Sequence, residues 1–136
     1  MTEIVFDINF WLSVFISKKN SLLIDTIEKN ELEIFSCSEL RKDLSSVFYN
    51  REIFKRKLFP PFDVYLEFHD NITTLISVEH RGGLIHDYKD KIIYDLCIQS
   101  HSKILVTNDS DFDVLKKFKR PEIIIMSTAE FWKVFK

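Results

Sequence analysis

Short, wholly apolar runs alternate along this chain with stretches in which apolar residues recur at helical spacing. The first run, Ile4-Val5-Phe6, is apolar without alternation, which is typical of a strand buried on both faces of a parallel sheet. Between Ser38 and Arg51 the apolar residues instead fall at i, i+4, i+7 and i+8, which predicts a helix with one buried face. The chain is therefore expected to alternate between strands and helices.

The pattern predicts five strands, over residues 4–6, 32–35, 75–78, 103–107 and 122–126. Helices are predicted after the first strand, over residues 22–29, 38–51 and 61–72, after a cap at Asp87, around 111–117, and after a capping box formed by Ser127 and Glu130. This order favours an α/β fold, a three-layer α/β/α sandwich with a mostly parallel central sheet of four to five strands. We expect residues 1–136 to form one domain, with a short helical arm at about 52–60.

Polar residues with metal-binding chemistry follow two of the predicted strands. Asp7 ends the first strand and Asn9 lies two residues on, while Asp109 follows the fourth strand and Asp111 lies two residues on. The carboxyl ends of the strands are where ligands bind in open parallel sheets. Each acid by itself could merely cap a helix, but the repeated pattern favours a shared site if the two strands are neighbours.

Two helices carry further candidate acids. Asp90 opens the helix before the fourth strand, where it also complements the helix dipole. Asp43 lies roughly 85° from the middle of the apolar stripe of the 38–51 helix, at its border, and Glu39 lies farther towards solvent. Asp43 is the preferred candidate on this helix, with Glu39 as the alternative.

Four or five carboxylates in one pocket repel one another strongly, and a divalent cation relieves that repulsion. Ligands that are all oxygen favour Mg²⁺ or Mn²⁺ over zinc. Such ions suit phosphodiester hydrolysis, because they lower the pKa of a bound water and stabilise the charge that develops on the phosphate. The sequence therefore predicts a Mg²⁺ or Mn²⁺ site whose ligands are Asp7, Asp43, Asp90, Asp109 and Asp111.

The formal net charge of −2 is unusual for a protein that handles nucleic acid, but the five acids of a metal site would account for it. The basic residues are also clustered, in a way that could steer a polyanion towards an acidic centre. The candidate nucleic-acid-binding residues are Arg51, Lys55, Arg56 and Lys57 in one group, and Lys116 and Lys117, with Lys119 and Arg120, in the other. An ordinary solvated face is the alternative explanation for each group.

Other kinds of site have little support in the sequence. The four histidines show no metal-ligand spacing, and no Ser-His-Asp arrangement or phosphate-binding glycine loop is visible. Cys37 and Cys97 are expected to be reduced thiols. No apolar run approaches the roughly 20 residues of a membrane span. The N-terminus lacks the basic lead and small-residue cleavage site of a signal peptide, and Asp7 interrupts its apolar stretch. We therefore expect a cytoplasmic protein.

These motifs together resemble the PIN-domain family of metal-dependent ribonucleases, and most closely its VapC-like branch of toxin components. The family's D-T-N, acidic-Leu, K-D, V-T-x-D-x-D/N and S/T-x-x-E-F motifs are matched in order by Asp7-Ile8-Asn9, Asp43-Leu44, Lys89-Asp90, Val106 to Asp111, and Ser127 to Phe131. Three residues differ from the family pattern: Ile8 replaces Thr, Asp43 replaces Glu, and Asn108 replaces a turn Gly, where positive φ is tolerated by Asn.

The resemblance implies a Mg²⁺- or Mn²⁺-dependent endoribonuclease. Its catalytic residues would be Asp7, Asp43, Asp90 and Asp109, supported by Asn9, Thr107, Asp111 and Glu39. It also implies an RNA substrate, an antitoxin protein as partner and a homodimer, although RNA processing or host defence would use the same site.

Two other functions remain open on the sequence. A haloacid-dehalogenase-like phosphatase also begins with an acid after its first strand, but it needs a second acid where this chain has Asn9. A non-catalytic PIN-like module that binds RNA or protein is the other alternative.

Overall fold

The computed structural model describes residues 1–56, 59–79, 88–110, 112 and 123–135. Within these ranges the chain forms a five-stranded, all-parallel sheet in the order β3-β2-β1-β4-β5. The strands are β1 (Thr2–Phe6), β2 (Leu32–Ser36), β3 (Thr73–Leu75), β4 (Ile104–Val106) and β5 (Ile124–Met126).

Helices flank this sheet, so the predicted α/β sandwich with a parallel central sheet is confirmed. They are α1 (Ile8–Ser17), α2 (Asn20–Asn30), α3 (Ser38–Asn50), α4 (Phe62–Ile72), α5 (Tyr88–Gln99) and α6 (Thr128–Val134). A short 3-10 helix over Glu52–Lys55 lies in the region expected to form a helical arm. No helix in the described part of the chain is long and apolar enough to cross a membrane.

The core is centred on β1, which pairs with β2 on one side and β4 on the other. Its last three residues are completely buried, which explains why the strand shows no alternation of apolar and polar positions. Phe6 stacks on Phe10 with ring centroids 4.0 Å apart. Its ring also contacts Trp11 and Phe131 edge-on, at 5.4 and 5.2 Å. Aromatic packing therefore holds the end of β1 rigidly.

The third strand begins earlier than the sequence predicts. It was expected over residues 75–78, but β3 spans Thr73–Leu75 and pairs with β2 from Ile34 onward. Because α4 ends at Ile72, the next residue can pair at once, and pairing with β2 rather than local hydrophobicity sets where the strand starts. The predicted cap at Asp87 and helix around 111–117 lie outside the described residues, apart from Phe112.

The capping box at the start of α6 is present as predicted. The Ser127 hydroxyl accepts from the Glu130 N–H at 3.1 Å, and a Glu130 carboxylate oxygen accepts from the Ser127 N–H at 3.2 Å. This cap matters for the core, because α6 carries the fully buried Phe131 that packs on Phe6 and Phe10.

We predict that Ser127→Ala lowers the free energy of unfolding by about 1 kcal/mol, because it leaves a backbone donor of the first turn without its partner. Urea denaturation measures the change. Lys133→Ala, at an exposed position of the same helix, is the control and should change stability little. Equal stability of Ser127→Ala and the wild type would contradict the role given to the cap.

Candidate active site

The ends of β1 and β4 form the edge of the sheet where the first candidate acids lie. Phe6 pairs with Val106, and the Asp7 N–H extends the ladder by donating to the Val106 carbonyl at 3.0 Å. The chain order also reverses at this point, with β2 and β3 on one side of β1 and β4 and β5 on the other. Such a switch point is where open parallel sheets bind their ligands.

Asp7 is held at this edge by hydrogen bonds to both carboxylate oxygens. Oδ1 accepts from the Ile8 N–H at 2.6 Å, so the residue caps α1, and Oδ2 accepts from the Thr107 hydroxyl at 2.7 Å. The side chain is only 7% exposed. Asp7 therefore has the helix-capping role that its position suggests and is also fixed towards the end of β4.

The turn after β4 brings Asp109 next to Asp7. The Thr107 hydroxyl accepts from the Asp109 N–H at 3.0 Å, so one hydroxyl ties both acidic residues together. Asn108 does not take the positive φ that the family's turn Gly suggests; its Oδ1 accepts from the Thr128 N–H at 3.0 Å and joins the turn to α6.

Burial is the main reason why the pKa of Asp7 is raised above its ordinary value of 3.8. The hydrogen bonds from Thr107 and Ile8 lower this pKa, and the negative charge of Asp109 raises it further. The net shift shows that the fold keeps an acidic group in a position that disfavours its charge. A cation beside both carboxylates would relieve the desolvation and the repulsion together.

The acids of α3 approach the same edge from the β2 side. Continuing the β1–β2 register by two residues places Cys37 beside Asp7. Burial raises the pKa of the Cys37 thiol to about 11, and the charges of Glu39 and Asp43 contribute to that rise. Both acids are half-buried, so the choice between Asp43 and Glu39 stays open.

Helix α5 lies against the same end of β1. Burial, followed by the charge of Asp7, raises the pKa of the buried Cys97. Asp90 is half-buried about two helical turns before Cys97, in the first turn of α5. Asp95, which is almost fully buried, was not among the predicted site residues. Its signal in the sequence is an acid three residues after Ile92, within the apolar face of the helix.

The described residues contain no group of three or more His, Cys, Asp or Glu side chains that could hold a metal ion as they stand. Asp111 lies outside those residues, and the five-carboxylate pocket stays a prediction. Asn9 is exposed in the first turn of α1. The coupled carboxylates of Asp7 and Asp109 still fit Mg²⁺ or Mn²⁺, because Mg²⁺ commonly binds through one or two carboxylates and keeps several waters.

Three of the predicted nucleic-acid-binding residues lie at the far end of α3. Arg51, Lys55 and Arg56 are exposed, whereas Lys57, Lys116 and Lys117 fall outside the described residues. Lys55 forms an exposed ion pair with Glu52 at 3.1 Å. Lys55 and Arg56 line a cavity of about 450 Å³. Its other lining residues are Phe48, Tyr49, Phe54, Phe59, Pro60, Pro61 and Phe62.

Although no Ser-His-Asp arrangement is visible in the sequence, the fold assembles one. The Ser36 hydroxyl lies 2.8 Å from Nε2 of His69, and Nδ1 of His69 lies 2.9 Å from Asp70. Ser36 and His69 are both 0% exposed, so a substrate cannot reach this serine. The residues meet only because α4 packs against the end of β2, across a separation of 33 residues.

Comparison with known proteins places the chain among related folds. A family model described as PIN domain matches residues 3–111. Among solved structures, the fold is similar to a chain in the crystal structure of VapBC2 from Rickettsia felis bound to a DNA fragment from their promoter. The TM-score is 0.63 at 15% identity, covering 93% of this chain and 98% of that chain, so the likeness concerns the fold. No curated protein matches the sequence.

We predict that Asp7→Asn stabilises the metal-free protein at neutral pH. Because the pKa of Asp7 is raised by folding, its ionisation lowers stability as the pH rises from 3.8 through the folded-state value. Asn lacks that charge and can still accept from the Ile8 N–H while its amide donates to Thr107.

Urea denaturation in the presence of a chelator tests this prediction. The advantage of Asp7→Asn should be largest at about pH 8 and should narrow towards about pH 4. Asp25→Asn, at an exposed position of α2, makes the same change of charge and serves as the control. If Asp7→Asn were less stable than the wild type at every pH, burial of this carboxylate would not be a cost to the fold.

Proposed function

The chain belongs to the PIN-domain family, and we propose that it is a Mg²⁺- or Mn²⁺-dependent endoribonuclease. The observation that carries this proposal is the buried Asp7 carboxylate, held by Thr107 next to Asp109 at the switch point of the sheet. Burial of the Asp7 carboxylate disfavours its charged form. A bound cation is the simplest reason for a buried carboxylate at this position.

Asp7 and Asp109 would hold the metal, with Asp90 and either Asp43 or Glu39 reaching it directly or through water. The ion, when bound, supplies a water of lowered pKa and neutralises charge on the scissile phosphate. Thr107 fixes the rotamer of Asp7 through its hydroxyl, so that the carboxylate keeps its orientation while the phosphate is bound. Asn9, Asp111 and the remaining acids would orient ligands and the attacking water.

The biological role that we propose is that of the toxin in a toxin–antitoxin pair, acting on RNA in the cytoplasm. The VapC-like motifs support this role, and the similar solved structure is that of VapBC2 bound to a promoter DNA fragment. An antitoxin protein is therefore the expected partner, and a homodimer the expected assembly.

The main alternative is a PIN-like module that binds RNA or protein without cutting. It is favoured by the small number of carboxylates that converge in the described part of the site. A phosphatase of the haloacid-dehalogenase type has less support, because the position that needs its second acid is the exposed amide Asn9.

We predict that the wild type cleaves labelled RNA with Mg²⁺ or Mn²⁺ and not with chelator, and that Asp7→Asn or Asp109→Asn lowers the rate at least about 100-fold. Thr107→Val keeps the shape but removes the hydroxyl, and we expect a loss of about 10- to 100-fold. Gel analysis of a mixture of RNAs measures all variants, with Asp25→Asn as the matched control.

The outcome separates the candidate functions. Cleavage that persists in Asp7→Asn would show that the acid is not part of the active site. If the folded wild type cuts neither RNA nor single-stranded DNA but binds RNA equally well after Asp7→Asn, the binding-module alternative is supported instead.

We also predict that the double variant Lys55→Glu/Arg56→Glu weakens binding of single-stranded RNA. At low salt we expect a loss of about 10-fold, with the salt dependence of log K reduced by about 0.7 for each lost phosphate contact. Fluorescence anisotropy over a salt series measures both quantities. Lys29→Glu, at an exposed position of α2, is the control. An unchanged salt slope would assign these cations to an ordinary solvated surface.

A further inference from the structure

A chain of four polar side chains, which we name the Arg41 network, joins three elements next to the candidate site. Arg41 donates from Nε and Nη2 to the two carboxylate oxygens of Asp70, each at 3.0 Å. Oδ1 of Asp70 also contacts Nδ1 of His69 at 2.9 Å, and Nε2 of His69 contacts the Ser36 hydroxyl at 2.8 Å.

The donors in this network follow from the chemistry of its members. The carboxylate of Asp70 can only accept, so Nδ1 of His69 carries a proton. Burial is the main reason why the pKa of His69 is lowered, which favours the neutral ring, and Nε2 then accepts from the Ser36 hydroxyl. Donation therefore runs from Ser36 of β2 through His69 to Asp70 of α4, and Asp70 also accepts from Arg41 of α3.

The network is attached to α3 close to the start of that helix. Cys37 caps α3, and the buried side chains of Leu40 and Leu44 pack its apolar face into the core. Arg41 lies in the next turn and its planar group engages Asp70 through two parallel hydrogen bonds, which fixes orientation as well as distance. The exposed fractions of the two side chains, 31% and 34%, mean that the pair contributes little to stability by charge alone.

The position of Arg41 on α3 determines which way the acids face. Glu39 and Asp43 lie two residues before and after it, and at about 100° per residue both are displaced by about 160° around the helix. When Arg41 is clamped to α4, the acidic face of α3 is turned away from α4. Cys37, the N-cap of α3, follows β2 directly and lies beside Asp7 in the continued register, so α3 begins at the Asp7 edge.

We infer that Arg41 is a positioning residue that sets the rotation of α3, so that the carboxylate of Asp43 or Glu39 reaches the metal at the Asp7 edge. Asp70 and His69 transmit the constraint from Ser36 at the end of β2. None of these residues touches the reacting atoms. The inference rests on the proposed function, because it concerns the same metal site.

The first experiment measures Mn²⁺ affinity of the full chain by titration calorimetry. Arg41→Gln and Asp70→Asn should weaken Mn²⁺ binding about 10- to 100-fold, as loss of an outer contact that orients a ligand does. Arg41→Lys keeps the charge but not the paired hydrogen bonds, and we expect an intermediate loss. Lys42→Gln removes an exposed neighbouring charge and should leave affinity unchanged.

A second control separates positioning from general stability. Val47→Ala removes a partly buried apolar group of α3 that packs against the core outside the network. It should lower the free energy of unfolding while Mn²⁺ affinity stays near the wild-type value. Equal losses of affinity in Val47→Ala and Arg41→Gln would mean that any weakening of α3 has this effect, which overturns the inference.

The decisive measurement is a double-mutant cycle with the acids of α3. If Arg41 acts by orienting one of these two acids, the effect of Arg41→Gln should disappear when that acid is replaced. We expect a change in Mn²⁺ affinity of less than about 2-fold in one of the two backgrounds, Asp43→Asn or Glu39→Gln. The background that removes the effect also identifies the ligand. The same loss in both backgrounds, or full rescue by Arg41→Lys, would overturn the inference. A wild type that does not bind Mn²⁺ would instead overturn the proposed function.

Discussion

The hydrogen bond from Thr107 to Asp7 is the contact on which the candidate site depends, although it joins residues 100 positions apart. It forms because β1 and β4 pair in parallel and in register, so that each strand ends level with its neighbour. The same hydroxyl accepts from the Asp109 N–H. One side chain therefore fixes the carboxylate of Asp7 and the backbone of Asp109, and repulsion between the two negative charges is built into the fold.

The aromatic core makes this arrangement possible. Phe6 is the last residue before Asp7, and its ring is packed by Phe10, Trp11 and Phe131 from α1 and α6. Such packing holds the strand end in place while the carboxylate beyond it loses hydration. Tight packing therefore lies directly beneath Asp7, whose buried charge lowers the stability of the fold. Functional sites commonly combine a stable core with a destabilising group of this kind.

Polar contacts constrain the sheet edge on both sides of β1. On one side Thr107 extends from β4 to Asp7, and on the other Ser36 ends β2 beside Phe6 in the continued register. Ser36 connects through His69 to the ion pair of α3 and α4. Buried polar networks of this kind specify a geometry more than they add stability, because apolar groups of equal size can pack as well.

The sequence by itself determined the features that depend on near neighbours. Uniform burial of β1 is visible in its unbroken apolar run, and the capping box of α6 needs only the spacing of Ser127 and Glu130. Asp7 and Asp109 could be assigned to the same sheet edge in advance, because parallel strands end at one edge, but only the structure showed that β1 and β4 are neighbours. The start of β3, the Arg41 network and the burial of Asp95 were decided by tertiary structure alone. Helical periodicity defines the faces of α3, but contacts with other elements set its rotation, because a helix by itself has no preferred orientation.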